Sequence, residues 1–456
     1  MAVRLTSRVL IVVLLVFNLS DLFHIAHCTT LEYLKLRLHH IKSFTTPSQA
    51  IAFDSHRLSA LFSALHGHQG LKSPLTSGAS FGSGQYFVDL RIGTPPQSLL
   101  LVADTGSDLV WVKCSACRNC SLHRPGSAFF ARHSATFAPI HCFDSACRLV
   151  PHSSTRHRLC RPTRLHSPCW YEYQYSDGSL TSGLFFTETS SLNTSSGRET
   201  TLGGLALGCG FEVSGPSITG PSFNGADGVM GLGRGPTSFS AQLGRRFGNR
   251  FSYCLLDYTL SPPPTSYLMI GGAHGVVSGH YKMSSTPLLT NRLFPTFYYI
   301  AIKTVIIDGV KLPINPSVWA LDDFGNGGTI IDSGTTLSFV PEPAYRLILT
   351  AFSRRVKLPQ LDKPSPGFDL CVNVSGVSRP SLPKMSFVML GDSVFAPPPS
   401  NYFIDTAEGV KCLAVQSVAS PSGFAVIGNL MQQGFLFEFD NDSSRLRFSR
   451  KACGRK

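Results

Sequence analysis

Two stretches far apart in the chain match each other. LLLVADTGSDLVWV (99–112) and GTIIDSGTTLSFV (328–340) share an apolar run, then Asp, Thr or Ser, Gly, Ser or Thr, and a resumed apolar strand. Asp104 and Asp332 stand 332 − 104 = 228 residues apart, one in each half. Each half carries a second counterpart, Gly228-Val229-Met230-Gly231 and Ala425-Val426-Ile427-Gly428, both an apolar pair followed by glycine. An isolated Asp-Gly marks a turn. Two matched copies inside apolar strands mark a duplicated lobe, and closure about a pseudo-two-fold axis would bring the two Asp-bearing turns together.

Such a meeting has a chemical consequence. Two buried carboxylates in contact cannot both ionise cheaply, so the pair shares a proton over much of the acidic range. One carboxylate can take a proton from a water held between them while the other donates one to a substrate carbonyl. No covalent intermediate, metal or cofactor is needed. Gly106 and Gly334 let the backbone approach closely, and Ser107 and Thr335 can donate hydrogen bonds to the carboxylate oxygens.

The surrounding sequence is β-rich. YFVDLRIG, SLLLVADTG, TFYYIAIKTVIIDG, GTIIDSG and GFLFEFDN are short apolar or alternating runs bounded by Gly, Pro, Asn or Asp. Gly 41 and Pro 30 together supply many turns, and the best helical stretch is Glu342–Val356. With 43% hydrophobic and only 15% charged residues, the chain has ample surface to bury, against roughly 25% charged in ordinary domains. A disordered or coiled-coil chain is excluded. The 456 residues divide into an N-terminal β lobe (81–275) and a C-terminal β lobe (276–456), preceded by 1–28 and 29–80.

Residues 1–28 read as a secretory signal: Arg4 and Arg8, then nine apolar residues, Val9–Phe17. That run is too short to span a membrane, which takes about 20 apolar residues. No second long apolar run follows and the C-terminal KACGRK is polar, so no membrane or lipid anchor is expected. Residues 29–80 carry Lys35, Arg37, Lys42, Arg57 and Lys72 against Glu32 and Asp54. Leu31, Leu34, Leu38 and Ile41 recur at helical spacing, and a Gly/Ser-rich joint closes the stretch. This reads as a basic, partly helical, removable pro-segment, or else as a small helical subdomain.

Of thirteen cysteines, twelve remain once Cys28 leaves with the signal. An even set suits a disulfide framework in an oxidising compartment, extracellular or vacuolar. Cys114-x-x-Cys117-x-x-Cys120 could be half a zinc site, but in this context disulfides are the better reading and no metal is expected. Sequons at Asn119, Asn193, Asn373 and Asn441 permit glycosylation. The formal charge of +13 is uneven. Between Arg118 and His166 lie eight arginines, six histidines and one acid, Asp144, a local 8 − 1 = +7. Residues from 81 onward hold 33 Lys+Arg and 24 Asp+Glu, 33 − 24 = +9, so the rest is nearly neutral and a nucleic-acid binder is not expected. The basic stretch is a solvated stapled loop or a polyanion surface, for example for de-esterified pectin, tightened in acid as its histidines charge.

Taken together, these motifs resemble the pepsin-like aspartic proteases, and more narrowly their plant nepenthesin-like branch, over nearly all of residues 81–456. YFVDLRIGTPPQ leading into DTGSDLVWVKC, the second turn DSGTTLSF, and GVMGLGRGPTSF and IGNLMQQGFLFEFD all match family segments. The family's carboxylate pair is the standing example of the proton sharing just described. The resemblance implies a bilobal, mostly β fold with a cleft between the lobes and a monomeric aspartic endopeptidase made as a zymogen. Asp104 and Asp332 would be the catalytic dyad, and Thr105 and Ser333 would cross-link the two turns. QYSDGS (174–179) resembles the flap hairpin, making Tyr175 the flap tyrosine beside Asp177 and Gly178, with Trp111 its indole partner. Tyr173 competes with Tyr175 for the flap tip, and the Asp-Gly next to Tyr175 favours the latter; Tyr171 and Tyr173 otherwise read as ordinary strand residues. The resemblance also suggests disulfides 114–117, 142–169, 147–160, 120–209, 254–453 and 371–412. Substrates would be polypeptides. A catalytically silent binding or inhibitor protein on the same fold is the alternative. A glycosidase with paired carboxylates predicts no matching halves, and an apolar h-region speaks against a chloroplast DNA-binding relative.

Overall fold

The computed structural model describes residues 33–39, 51, 54, 85–118, 120, 128–152, 166–175, 178–194, 196–215, 218–219, 225–257, 260, 264–272, 282–418 and 423–453. The residues read as a signal lie outside this set. In the first half, the Asp-bearing turn closes strand Gln97–Asp104, which buries Leu99, Leu101, Val102 and Ala103. This strand runs antiparallel to Phe87–Ile92 and parallel to Gly228–Gly231, with Asp104 opposite Gly231. Trp111–Arg118 returns antiparallel to Gly228–Gly231 and parallel to Glu199–Ser214.

The second half repeats the plan. Thr329–Ile331 lies parallel to Ala425–Ile427, and Ser338–Pro341 lies antiparallel to Ala425–Ile427 and parallel to Val415–Val418. Buried parallel strands require apolar runs without alternation, which GVMG and AVI supply. Space dictates the closing glycines. A Cβ on Gly231 would lie 2.3 Å from the Asp108 carbonyl carbon, and one on Gly428 would lie 1.9 Å from the Leu337 carbonyl oxygen.

One continuous sheet joins the halves. Ser284–Pro287, Arg445–Ser449 and Leu436–Asp440 come from the second half; Arg250–Cys254 and Ser266–Gly271 extend it into the first. Phe251 stacks on Phe439 across the junction, ring centroids 4.7 Å apart. The architecture is the expected mostly β, bilobal one. Helix Glu342–Arg355 occupies the stretch read as helical and buries Ala344, Tyr345, Ile348, Ala351 and Phe352. Among the described residues no helix is long and apolar enough to cross a membrane.

Residues 33–39 differ from expectation. Tyr33–His39 is a strand, inserted between Ser266–Gly271 and Phe87–Ile92. Leu34, Leu36 and Leu38 are buried, and Lys35 and Arg37 fall on the opposite face. Helical spacing ran through Leu31, Leu34, Leu38 and Ile41, but YLKLRLH also alternates with period two. The alternation prevails because two sheet edges satisfy its backbone and bury all three leucines at once.

Several disulfides also differ. The described pairs are Cys114–Cys209, Cys117–Cys120, Cys147–Cys169, Cys254–Cys453 and Cys371–Cys412. The last two are those the resemblance suggested. The pairings 114–117, 120–209, 142–169 and 147–160 are not formed. Cys114 and Cys117 sit three apart on one strand, so their side chains leave opposite faces. Cys114 turns inward toward Cys209 on the adjacent parallel strand, 5.4 Å away between Cα atoms. Cys142 is also disulfide-bonded; Cys160 lies outside the described residues.

Candidate active site

The two matched turns carry the same hydrogen bonds. In the first, Asp104 Oδ1 accepts from the Gly106 amide at 3.0 Å and Oδ2 from the Ser107 hydroxyl at 2.7 Å. In the second, Asp332 Oδ1 accepts from the Gly334 amide at 3.0 Å and Oδ2 from the Thr335 hydroxyl at 2.6 Å. Both carboxylates are buried, Asp104 4% and Asp332 0% exposed. Glycine at the third position supplies a close amide, and the hydroxyl one residue on supplies the second donor. Each carboxylate is thereby oriented from behind.

The turns are tied to each other reciprocally. The Thr105 amide donates to Ser333 Oγ at 3.1 Å and the Ser333 amide donates to Thr105 Oγ1 at 2.8 Å. Ser333 Oγ donates onward to the Ala103 carbonyl at 3.0 Å, and Thr105 Oγ1 lies 3.4 Å from the Ile331 carbonyl and 3.3 Å from Asp332 Oδ1. All five residues of this network are buried. In this way two residues 228 positions apart place Asp104 and Asp332 on one shared floor.

Sequence reasoning missed the residues that brace the second turn. Asn429 Nδ2 donates to the Ser333 carbonyl at 3.0 Å, and Gln432 Nε2 donates to the carbonyls of Asp332 at 3.1 Å and Ile427 at 2.8 Å. Gln432 Oε1 in turn accepts from the Tyr253 hydroxyl on the joining sheet. Burial, and then the Asp332 charge, push the Tyr253 phenol upward, so it stays a donor. The one signal in the sequence was a set of amide side chains in NLMQQG directly after a buried apolar strand.

The hairpin of Trp170–Gln174 and Leu180–Asn193 overhangs the first turn. Tyr175 and Ser179 close its tip, with the Gly178 amide donating to the Tyr175 carbonyl and Gly178 at φ +77°. Asp177 lies outside the described residues. Trp111, fully buried, donates from Nε1 to the Tyr175 hydroxyl at 2.6 Å. Burial pushes the Tyr175 phenol well above its ordinary range. Tyr173, read as an ordinary strand residue, also reaches the turn: its hydroxyl accepts from the Asp108 amide at 3.3 Å. Tyr171 packs inward instead, its hydroxyl against Thr181.

Asp108 was not singled out from the sequence either. Its carboxylate accepts from the Gly235 amide at 2.8 Å in the first lobe and from the Thr296 hydroxyl at 2.7 Å in the second. Burial raises its pKa above the usual carboxylate value, against those two bonds. A further acid touches the other turn. Asp54, 0% exposed, accepts from the amides of Thr336 at 3.2 Å and Leu337 at 2.5 Å.

Other expected positions lie away from the cleft. Asn193 and Asn373 are exposed and Asn119 lies outside the described residues. The Asn441 amide nitrogen faces Asn249 and Tyr298. Cys147, His152 and Cys169 lie within 4.8 Å of one another, a spacing suited to a metal. The two sulfurs form a disulfide, however, and both His152 nitrogens face carbonyl oxygens, at 2.7 and 2.8 Å. That set offers no ligands.

Comparison with known proteins matches both halves. The family described as Xylanase inhibitor N-terminal matches residues 86–272, and that described as Xylanase inhibitor C-terminal matches residues 297–450. Aspartyl protease family protein 2 of Arabidopsis thaliana is 36% identical, over 84% of this chain and 74% of the relative. Aspartic proteinase nepenthesin-1 of Nepenthes gracilis is 34% identical, over 92% of this chain and 90% of the relative. Among solved structures, edgp aligns with a TM-score of 0.67 at 21% identity, covering 91% of this chain and 94% of that one. Basic 7S globulin from soybean aligns at 0.65 and 18%, covering 92% and 96%. The two structures speak for the fold.

Proposed function

Because the chain belongs to the pepsin-like aspartic proteases, in their plant nepenthesin-like branch, we propose that it is an aspartic endopeptidase with Asp104 and Asp332 as its catalytic dyad. The observation that carries this reading is the mirrored pair of carboxylates, each with an amide and a hydroxyl donor, on turns locked by Thr105 and Ser333. A water between the carboxylates loses a proton to one and attacks the scissile carbonyl carbon, while the other gives its proton to the carbonyl oxygen. Collapse of the tetrahedral adduct breaks the C–N bond, and the departing nitrogen takes a proton from the dyad, leaving an acid and an amine. Gly106, Ser107, Gly334 and Thr335 hold the carboxylates in the attacking geometry, which is where such catalysis gains most. Tyr175, fixed by Trp111, covers the substrate from the flap side.

A dyad that must carry a proton supports acid working conditions, and the disulfide framework supports a secreted or vacuolar setting. Incubation of the purified chain in acid with an unfolded protein, beside Asp332→Asn, tests the reading. Cleavage by the wild type alone, blocked by a statine-containing peptide, is the expected result. Equal cleavage by both, or none by either once residues 29–80 have been removed, overturns it.

The inhibitor wording of the matching families favours a second reading, a binding protein on the same fold. Retention of both complete turns weighs against it. The exposed Arg118, Arg132, His133, Arg148 and His166 support a polyanion surface on the basic insertion. Neutralising the eight arginines of 118–166 should bring the protein off an anionic resin earlier, and unchanged elution would dispose of that surface.

A further inference from the structure

The loop leaving Gly228–Gly231 runs Leu232-Gly233-Arg234-Gly235, and its last two glycines clear a seat for one carboxylate. A Cβ on Gly233 would lie 2.3 Å from Asp108 Oδ1, and one on Gly235 would lie 2.3 Å from Oδ2. The carboxylate so enclosed spans the lobes: Oδ1 accepts from the Gly235 amide at 2.8 Å and Oδ2 from the Thr296 hydroxyl at 2.7 Å. The neighbouring backbone is committed as well. Ser107, one residue before, holds the Asp104 carboxylate through its hydroxyl and accepts from the Gly233 amide through its carbonyl. The Asp108 amide donates to the Tyr173 hydroxyl at 3.3 Å, and the Tyr173 ring meets the Tyr175 ring edge-on, centroids 5.2 Å apart. In the second lobe the Thr296 carbonyl accepts from the Arg234 amide, and two residues on the Tyr298 carbonyl accepts from the Ile331 amide beside Asp332. One residue thus meets the flap hairpin, adjoins the first turn and bonds the segment that leads to the second.

We propose that Asp108 is a positioning residue for peptide cleavage: through Thr296 it registers the flap against the second lobe, so that Tyr173 and Tyr175 stand at a fixed height over Asp104 and Asp332. The inference rests on the peptidase reading and deepens it with a third carboxylate, one that acts through the flap and not on the reacting atoms. The lock of Thr105 and Ser333 ties the two turns to each other; Asp108 ties in the flap. A buried side chain engaged at both oxygens has one position to occupy, and geometry held to within about 1 Å is worth on the order of 100-fold in rate. Asparagine preserves the connection. Its oxygen accepts from Gly235 and its amide nitrogen donates to the Thr296 hydroxyl, which can accept as well as donate.

Thr296→Val cuts the second-lobe end of this connection and leaves the flap and the dyad chemically intact. Hydrogen–deuterium exchange in the full chain, at one pH, follows the flap amides of Tyr175 and Gly178, which donate to the carbonyls of Ser179 and Tyr175. Their exchange should quicken about threefold to tenfold, the worth of one hydrogen bond. In the acid-incubated chain kcat/KM should fall by a similar factor. Thr296→Ser, which keeps the hydroxyl, should match the wild type in both measurements, and Asp108→Asn should lie close to it. Added to Asp108→Ala, Thr296→Val should have no further effect. Should Asp108→Ala lack a cooperative melting transition, Tyr173→Phe, which breaks the connection at its flap end, serves the same comparison. Flap exchange indifferent to Thr296→Val, or equally quickened by Thr296→Ser, overturns the proposal, as does an undiminished effect once the connection is already broken. A flap that responds as described in a chain that cleaves no protein would sink the peptidase and leave the tie through Asp108 standing.

Discussion

Removing the hydroxyl of Ser333 tests whether the lock between the turns sets the catalytic geometry. Ser333→Ala deletes an acceptor for the Thr105 amide, 3.1 Å away, and a donor to the Ala103 carbonyl at 3.0 Å. An orphaned buried donor costs about 1–3 kcal/mol and a lost neutral hydrogen bond about 1 kcal/mol, so the variant should lose about 2–4 kcal/mol. Thr105→Val, nearly isosteric, orphans the Ser333 amide in the same manner and should lose a similar amount. Because both hydroxyls bridge the same two turns, the double variant should lose less than the sum by at least about 0.5 kcal/mol. Urea unfolding of the four chains supplies the cycle. The functional half concerns rate: a dyad slackened by about 1 Å should lose on the order of 100-fold in kcat. Additive stabilities would show that each hydroxyl serves its own turn. Stability lost with kcat intact would refute the claim that the lock positions the carboxylates.

Asp108 should behave as a latch between lobes. Asp108→Ala strips a charged acceptor from Gly235 and Thr296, and Thr296→Val, losing one of those two bonds, should show about half the destabilisation in thermal melts. Asp440 has the opposite character. Burial pushes its carboxyl up, but the hydroxyl and amide of Ser443 and the Arg447 guanidinium outweigh that and hold it at about 2, below the ordinary 3.8. A depressed folded value contributes stability above 3.8 that disappears as pH falls through about 2. The melting gap between wild type and Asp440→Asn should accordingly be full near neutrality, close over that window, and not stay constant. For glycans, Asn193 and Asn373 are exposed while the Asn441 nitrogen is engaged with Asn249 and Tyr298. Asn193→Gln and Asn373→Gln should each shift the mass of protein secreted by plant cells, and Asn441→Gln should not.

The floor formed by the two Asp-bearing turns was legible because its code is local. Asp, a hydroxyl residue, Gly and a second hydroxyl residue specify one turn, and their repetition specifies the partner. What lay beyond was less legible wherever sequence spacing fitted two geometries. Leu34 and Leu38 suit a helix as well as a strand, and only the open edges of Ser266–Gly271 and Phe87–Ile92 decide between them. Cys114 and Cys117 look like partners by proximity, but strand alternation sends them to opposite faces and Cys114 finds Cys209. Asn429 and Gln432 announce polarity in an apolar run, yet nothing local names the carbonyls of Ser333 and Asp332 as their targets. Asp54 fell in a segment read as removable, although its carboxylate is held against the second turn.

The self-match stops at a meaningful place. From Asp to the second hydroxyl the two turns agree in residue class and in hydrogen bonds, and one position later Asp108 stands where the second turn has Thr336, a break in residue class before the apolar run resumes. Behind the first turn, the amides of Leu232 and Gly233 hold the carbonyls of Asp104 and Ser107, both at 2.8 Å. Behind the second, the amides of Asn429 and Leu430 hold Thr335 and Thr336, and the side chains of Asn429 and Gln432 are added. In front, a tyrosine of the first lobe's own hairpin meets one turn, and an acid from the N-terminal segment meets the other. In the proposed reaction the two carboxylates share one water and one proton, so what the chemistry constrains is their orientation, which the four matched residues of each turn set. Covering and bracing need no equivalence. One flank is thus met by a hairpin of its own lobe, and the other by Asp54 from the N-terminal segment.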